Sequence, residues 1–180
     1  MKKNGKLKKN TAVGTVMTNM GFSKFCEANG IDFVSTKVGD RYVLESMLQN
    51  GYNIGGEQSG HIIFLDHSTT GDGELSGAML LSIMKRTGEK LSDLAKIMER
   101  YPQVLINVKV SNEGKLSFYT DKEVKAEINR VTEILGDTGR ILVRVSGTEP
   151  LVRVMLEGEN LEQIQTLAEE AAQVVRERLA

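Results

Sequence analysis

Arg144-Val145-Ser146-Gly147-Thr148-Glu149-Pro150, with Arg153 shortly beyond, puts two cations, two hydroxyls and a glycine within one short stretch. Ser146 and Thr148 can donate to an anion, and Gly147 lets backbone N–H groups approach it closely. If residues 147–150 form a hairpin loop, Ser146 pairs with Leu151, and counting back sets Arg144 directly opposite Arg153 on one sheet face. Like charges so placed repel, and a dianion held between the guanidinium groups would offset that cost. Each charge-assisted hydrogen bond contributes roughly 1.5–3 kcal/mol, enough together to grip a phosphate. The same spacing equally describes a polar turn with two solvent-facing arginines.

A second segment, Gly56-Glu57-Gln58-Ser59-Gly60-His61, presents a carboxylate, a hydroxyl and an imidazole between glycines. Glu57 accepts two hydrogen bonds and Ser59 both gives and accepts, which is the chemistry that reads adjacent sugar hydroxyls. His61, with a reference pKa near 6.5, is either a general base or a structural hydrogen-bonder at the start of a strand. In Lys37-Val38-Gly39-Asp40-Arg41-Tyr42, Asp40 or Arg41 could face a ligand at a strand-to-helix turn, and a plain helix cap explains Asp40 as well. Thr70-Gly71-Asp72-Gly73 carries one carboxylate among glycines and is read as a helix start. No His, Cys or carboxylate cluster has metal-ligand spacing, and no dinucleotide fingerprint occurs.

Hydrophobic periodicity supplies the elements that must position these loops. A strand is expected over residues 11–18, then a helix over 20–28 with Phe22, Phe25 and Ala28 on one face, ended by Gly30. A strand over 31–35 precedes a helix capped by Asp40, with Val43, Leu44, Met47 and Leu48 inward and Asn50-Gly51 closing it. A turn around Gly55-Gly56 leads into the apolar run 61–65, expected as a strand covered on both faces. Asp72 caps a helix whose inner face is Leu75, Met79 and Ile83. Leu91, Leu94, Ala95, Met98 and Tyr101 mark a helix that Pro102 stops, with a domain boundary near Tyr101.

Beyond that boundary, Val104, Ile106, Val108 and Val110 alternate along a strand. A helix with Val124, Ile128, Val131 and Leu135 on one face follows, then strands over 140–145 and 151–157 and a helix over 161–179. The order predicts two domains. Residues 1–101 form an α/β sugar-binding domain, a mixed sheet flanked by helices, and residues 102–180 a small α+β domain whose antiparallel sheet is covered by helices on one face.

Apolar residues at 40% and charged residues at 26% predict a buried core. A net charge of -1 gives no field to draw in nucleic acid or anionic membrane, and the basic run Lys2, Lys3, Lys6, Lys8, Lys9 is expected as a solvated tail. Cys26 is the only cysteine, which with its apolar setting predicts a small buried hydrophobe and a reducing, cytoplasmic location. No apolar run is long enough to span a bilayer.

Together, Val38-Gly39-Asp40-Arg41-Tyr42-Val43, Gly56-Glu57-Gln58-Ser59-Gly60-His61, Thr70-Gly71-Asp72-Gly73 and residues 144–150 resemble the α-D-phosphohexomutase family, in the order and spacing of its bacterial phosphoglucosamine mutase branch. The resemblance covers most of the third of four domains and all of the fourth. It implies interconversion of glucosamine 6-phosphate and glucosamine 1-phosphate through a bisphosphate, a step towards UDP-N-acetylglucosamine and cell-wall precursors. By the same resemblance Glu57 and Ser59 contact sugar hydroxyls with His61 close by, and Arg144, Ser146, Gly147, Thr148 and Arg153 hold the non-reacting phosphate. Asp40, Arg41 and Glu149 complete the candidate substrate-binding set.

The family also implies Mg2+ and a sugar bisphosphate activator. Its phosphoserine string Ser-His-Asn-Pro and magnesium string Asp-Gly-Asp-x-Asp-Arg do not occur here, so this chain is expected to bind neither cofactor, to hold no catalytic residue beyond His61 as an accessory base, and to be inactive alone. The missing N-terminal domains are then its partners. An uncovered apolar sheet face is expected to favour self-association, in the simplest case a homodimer. Two other readings remain: a phosphomannomutase or phosphoglucomutase fragment, and a non-catalytic module binding phosphosugars or protein.

Overall fold

Thr11, Val13 and Thr15 share one face of β1 (Thr11–Thr15), a strand whose β-branched side chains suit extended backbone. The computed structural model describes all 180 residues and divides them into two units, Met1–Arg100 and Tyr101–Ala180.

In the first unit β1 pairs in parallel with β2 (Asp32–Thr36) and β3 (Ile54–Gly56), and β4 (Ile62–Phe64) runs antiparallel to β3, giving the order β2-β1-β3-β4. Helix α1 (Met20–Ala28) connects β1 to β2, and α2 (Asp40–Asn50) connects β2 to β3. The expected mixed sheet with helices is therefore present. Val43 and Met47 on α2, both fully buried, pack on Val13 and Ile63, each burial contributing about 1.5–3 kcal/mol. A Cβ on Gly55 would stand 2.6 Å from Met47 Sδ and Val43 Cγ1, so only glycine lets α2 lie this close to β3.

Several local expectations are corrected. β1 stops at Thr15 rather than residue 18, because the Thr15 N–H donates to Thr18 Oγ1 at 3.0 Å and the Met17 N–H to Thr15 Oγ1 at 3.2 Å, closing a turn. Gly39, at φ 127, occupies the N-cap of α2, and Asp40 is its first residue. Leu48 faces outward at 59% exposure. Gly55 and Gly56 belong to β3 rather than to a turn, and β4 is an edge strand with Ile63 buried and Ile62 exposed, not a strand covered on both faces.

Asp72 caps α3 (Gly73–Thr87) as expected, accepting from the Leu75 N–H at 2.9 Å. No residue of α3 is fully buried, and Leu81 is 65% exposed. The helix expected through Tyr101 reduces to α4 (Leu91–Leu94) followed by turns. Leu91 and Ile97 are exposed there, and a short segment that buries little of its apolar stripe does not hold a long helix. The basic N-terminal run is not a free tail. Buried Asn53 needs partners, and takes them by accepting from the Lys8 N–H at 3.0 Å and donating to Lys6 O at 2.9 Å and Asp66 Oδ2 at 2.6 Å.

The second unit is a three-stranded antiparallel sheet in the order β5-β7-β6, from β5 (Gln103–Lys109), β6 (Gly139–Val145) and β7 (Leu151–Gly158). Helices α6 (Lys122–Leu135) and α7 (Leu161–Leu179) pack on it through one core. Val152, Val154 and Leu156 of central β7 have no exposure and face that core. Val104, Ile106, Val108 and Val110 point the same way, as their alternation predicts. The short α5 (Asn112–Ser117), capped by Ser111 through the Gly114 N–H at 2.9 Å, was not anticipated.

Candidate functional site

The register of β6 and β7 decides which side chains of the second unit leave the core. Val143, Val145, Val152 and Val154 pack on the helices, so their neighbours Arg144 and Arg153 take the other face, and the two are cross-strand partners. Farther along, Arg140 is paired with Glu157, Nε to Oε2 at 2.8 Å, on a carboxylate with no exposure. One pair on this face is thus of opposite charge and the other of like charge.

Burial first, and the Arg153 cation second, push the Arg144 guanidinium pKa down. Both destabilise its charged form, and an anion bound between the two would counter both. Arg153 Nη2 contacts Glu149 Oε2 at 2.6 Å, while its Nε is buried without a hydrogen-bond partner. A buried donor left unmade is costly, and a ligand oxygen would satisfy it.

The connecting loop is built on Ser146. Its N–H donates to Leu151 O at 2.8 Å, closing the hairpin, and its buried hydroxyl accepts from the Glu149 N–H at 3.2 Å. The Gly147 and Thr148 amides make no hydrogen bond within the chain and lie exposed beside the arginines in sequence. Lys115 on α5 donates to Glu149 O at 3.0 Å, a support that the sequence did not point to because it spans the whole of α6 and β6.

In the first unit, Glu57, Ser59 and His61 meet in the β3–β4 hairpin. The Glu57 N–H donates to His61 O at 3.0 Å, and Gly60 turns the chain at φ 99. Ser59 Oγ donates to Glu57 Oε1 at 2.7 Å, so towards His61 Nδ1, 2.9 Å away, it must accept. That network places a proton on Nδ1 and leaves Nε2 of a neutral His61 free as an acceptor. The side chain is about half exposed, open to a hydroxyl.

The other oxygen of Glu57, Oε2, accepts from the Gly39 N–H at 3.2 Å. The β2–α2 turn therefore positions the Glu57 carboxylate through its backbone. Asp40 and Arg41 do not join the cluster: both are exposed, and Asp40 Oδ1 accepts from the Arg41 N–H at 2.8 Å. Gly71, read from sequence only as part of a helix start, lies against His61; a Cβ there would stand 3.1 Å from the imidazole Cδ2. Beneath the hairpin lies a cavity of about 350 Å³, lined by Ala12, Gly14, Phe22, Ile54, Met98 and Glu57 among others. Cys26 is buried, which pushes its thiol pKa up, away from reactivity.

No three His, Cys, Asp or Glu side chains converge as a metal site, so the magnesium implied by the resemblance finds no fitting donor set among these residues. No helix is long and apolar enough to cross a membrane.

Residues 1–101 match the model of phosphoglucomutase/phosphomannomutase, alpha/beta/alpha domain III, and residues 105–174 that of the phosphoglucomutase/phosphomannomutase C-terminal domain. A phosphoglucosamine mutase of Caldanaerobacter subterraneus subsp. tengcongensis is 54% identical over 179 residues, covering 99% of this chain and 40% of that protein. The chain thus spans about 40% of the length of the curated relatives it matches. Aspergillus fumigatus N-acetylphosphoglucosamine mutase superposes with a TM-score of 0.82 at 19% identity, over 97% of this chain and 39% of that one. The same enzyme in complex with GlcNAc-6P and magnesium superposes at 0.77 and 16% identity, over 96% of this chain and 40% of that one.

Proposed function

The chain belongs to the phosphoglucomutase/phosphomannomutase family, and on that premise we propose that it is the hexosamine-phosphate-binding part of a phosphoglucosamine mutase. The whole enzyme would be an isomerase interconverting glucosamine 6-phosphate and glucosamine 1-phosphate through a bisphosphate, in the cytoplasm. Residues 1–101 would read the sugar and residues 102–180 would hold the phosphate that is not reacting. The phosphoserine, the magnesium and the transfer itself would belong to the N-terminal domains of the family, leaving this chain inactive alone.

Glu57 and Ser59 would bond adjacent sugar hydroxyls, with His61 Nε2 available to a further one and Asp40 and Arg41 flanking. Arg144, Arg153, Ser146, Gly147 and Thr148 would form the phosphate clamp, with Glu149 at its edge against Arg153. The observation that carries this reading is the Arg144–Arg153 cross-strand pair, a like-charge juxtaposition that costs energy until a dianion sits on it. Such a clamp recognises any phosphate without reading the rest of the sugar, which suits a bisphosphate that must turn end for end.

Calorimetric titration of the chain with glucosamine 1-phosphate and glucose 1-phosphate, repeated on Arg144→Ala, tests the proposal. Binding that favours the amino sugar and is lost in the variant is expected. Equal binding by the variant would remove the clamp, and a preference for glucose 1-phosphate would support the phosphoglucomutase reading instead.

A further inference from the structure

We propose that Glu149 is a resident counter-anion of the arginine pair, a carboxylate that occupies part of the phosphate's place and must be displaced when a phosphomonoester dianion binds. The inference rests on the clamp reading above. Glu149 Oε2 lies 2.6 Å from Arg153 Nη2, yet Arg153 Nε stays buried without an acceptor and Arg144 lies opposite without a share of that carboxylate. One carboxylate meets part of the demand of two guanidinium groups. A phosphate, with three oxygens and nearly twice the charge, can span more of it.

The exchange needs only the side chain to move. The backbone of residue 149 is held three ways: its N–H donates to Ser146 Oγ at 3.2 Å, and its carbonyl accepts from the Leu151 N–H at 2.8 Å and from Lys115 Nζ at 3.0 Å. The carboxylate, by contrast, is 51% exposed and its partner 29%. A pair so open to water is weak enough to yield to a dianion. Glu149 thereby makes the empty clamp less repulsive and sets a threshold of charge: an anion that brings no more than the carboxylate gains little by replacing it.

The test is titration of the 180-residue chain with inorganic phosphate, comparing wild type, Glu149→Gln and Arg144→Ala, with thermal melting to verify folding. Glu149→Gln should bind phosphate roughly two- to five-fold more tightly, the range set by a half-exposed ion pair. Damage to the loop could only weaken binding, so a gain distinguishes displacement from a structural role. Unchanged or weaker binding by Glu149→Gln, with Arg144→Ala still impaired, overturns the counter-anion and leaves the clamp. Binding that Arg144→Ala does not alter, or no binding by either wild type or Glu149→Gln, overturns both.

Discussion

Arg144 and Arg153 stand directly opposite each other on antiparallel neighbours β6 and β7, and the only carboxylate that touches either is Glu149, which contacts Arg153. If the pair holds a phosphate as proposed, its like charge makes ligand-free stability and phosphate affinity pull in opposite directions.

Arg144→Met keeps the aliphatic stem and removes the charge. Relief of the cross-strand repulsion is expected to stabilise the ligand-free chain by about 0.2–1 kcal/mol, a few degrees in melting temperature for a domain of this size. Phosphate should raise the melting temperature of the wild type and not of the variant. Differential scanning calorimetry with and without phosphate checks both, and a lower melting temperature for the ligand-free variant would contradict the first.

Glu57→Ala removes the acceptor of the Gly39 N–H and of the Ser59 hydroxyl. Ser59 is exposed and Gly39 half-buried, so water replaces part of the lost bonding and each bond costs about 0.5–1.5 kcal/mol of stability. Affinity for glucosamine 1-phosphate is expected to fall at least ~10-fold, the equivalent of one such bond, while affinity for inorganic phosphate stays at the wild-type value. Parallel titrations with the two ligands separate a sugar contact from a general loss of folding.

Gly114→Ala is expected to be strongly destabilising for its size. A Cβ there would lie 1.9 Å from Leu179 O, so α5 and the end of α7 must separate, and overpacking of this kind costs about 1–3 kcal/mol. Denaturant unfolding would register it as a lower midpoint, whereas Gly147→Ala, with nothing near its Cβ position, should leave the midpoint close to wild type.

Acid should weaken the second unit through Asp121. The Val124 N–H first, then Arg178, hold this carboxyl below its ordinary pKa. A depressed folded-state pKa contributes stability at neutral pH that disappears as pH falls through the folded value. Urea midpoints of wild type and Asp121→Asn should therefore differ at neutral pH and converge in acid; a constant gap would rule out the charge as its source.

Where one rule acted locally, the sequence was enough. α1 and α7 begin and end where the apolar spacing placed them, and the Arg144–Arg153 register follows from a loop length and strict alternation on both strands. The misses share a tertiary cause. Residues 61–65 are apolar enough for a covered strand, yet β4 lies at the sheet edge, a placement set by pairing rather than by its own composition. The stripe from Leu91 to Tyr101 is helical in pattern but has little to pack on. Within the sites, the residue types were visible and their supports were not. Gly39 to Glu57 and Lys115 to Glu149 join positions far apart in the chain, and no local spacing announces such contacts.

The three aliphatic residues of β7 that carry the helices also act as a ruler for the cations beside them. Sliding β7 by one residue would turn Arg153 into the core and expel Val152, Val154 and Leu156, all without exposure. A one-residue change in the length of the 147–150 connection must then be absorbed as slack within the turn. The gap between the two charges is insulated from such a change.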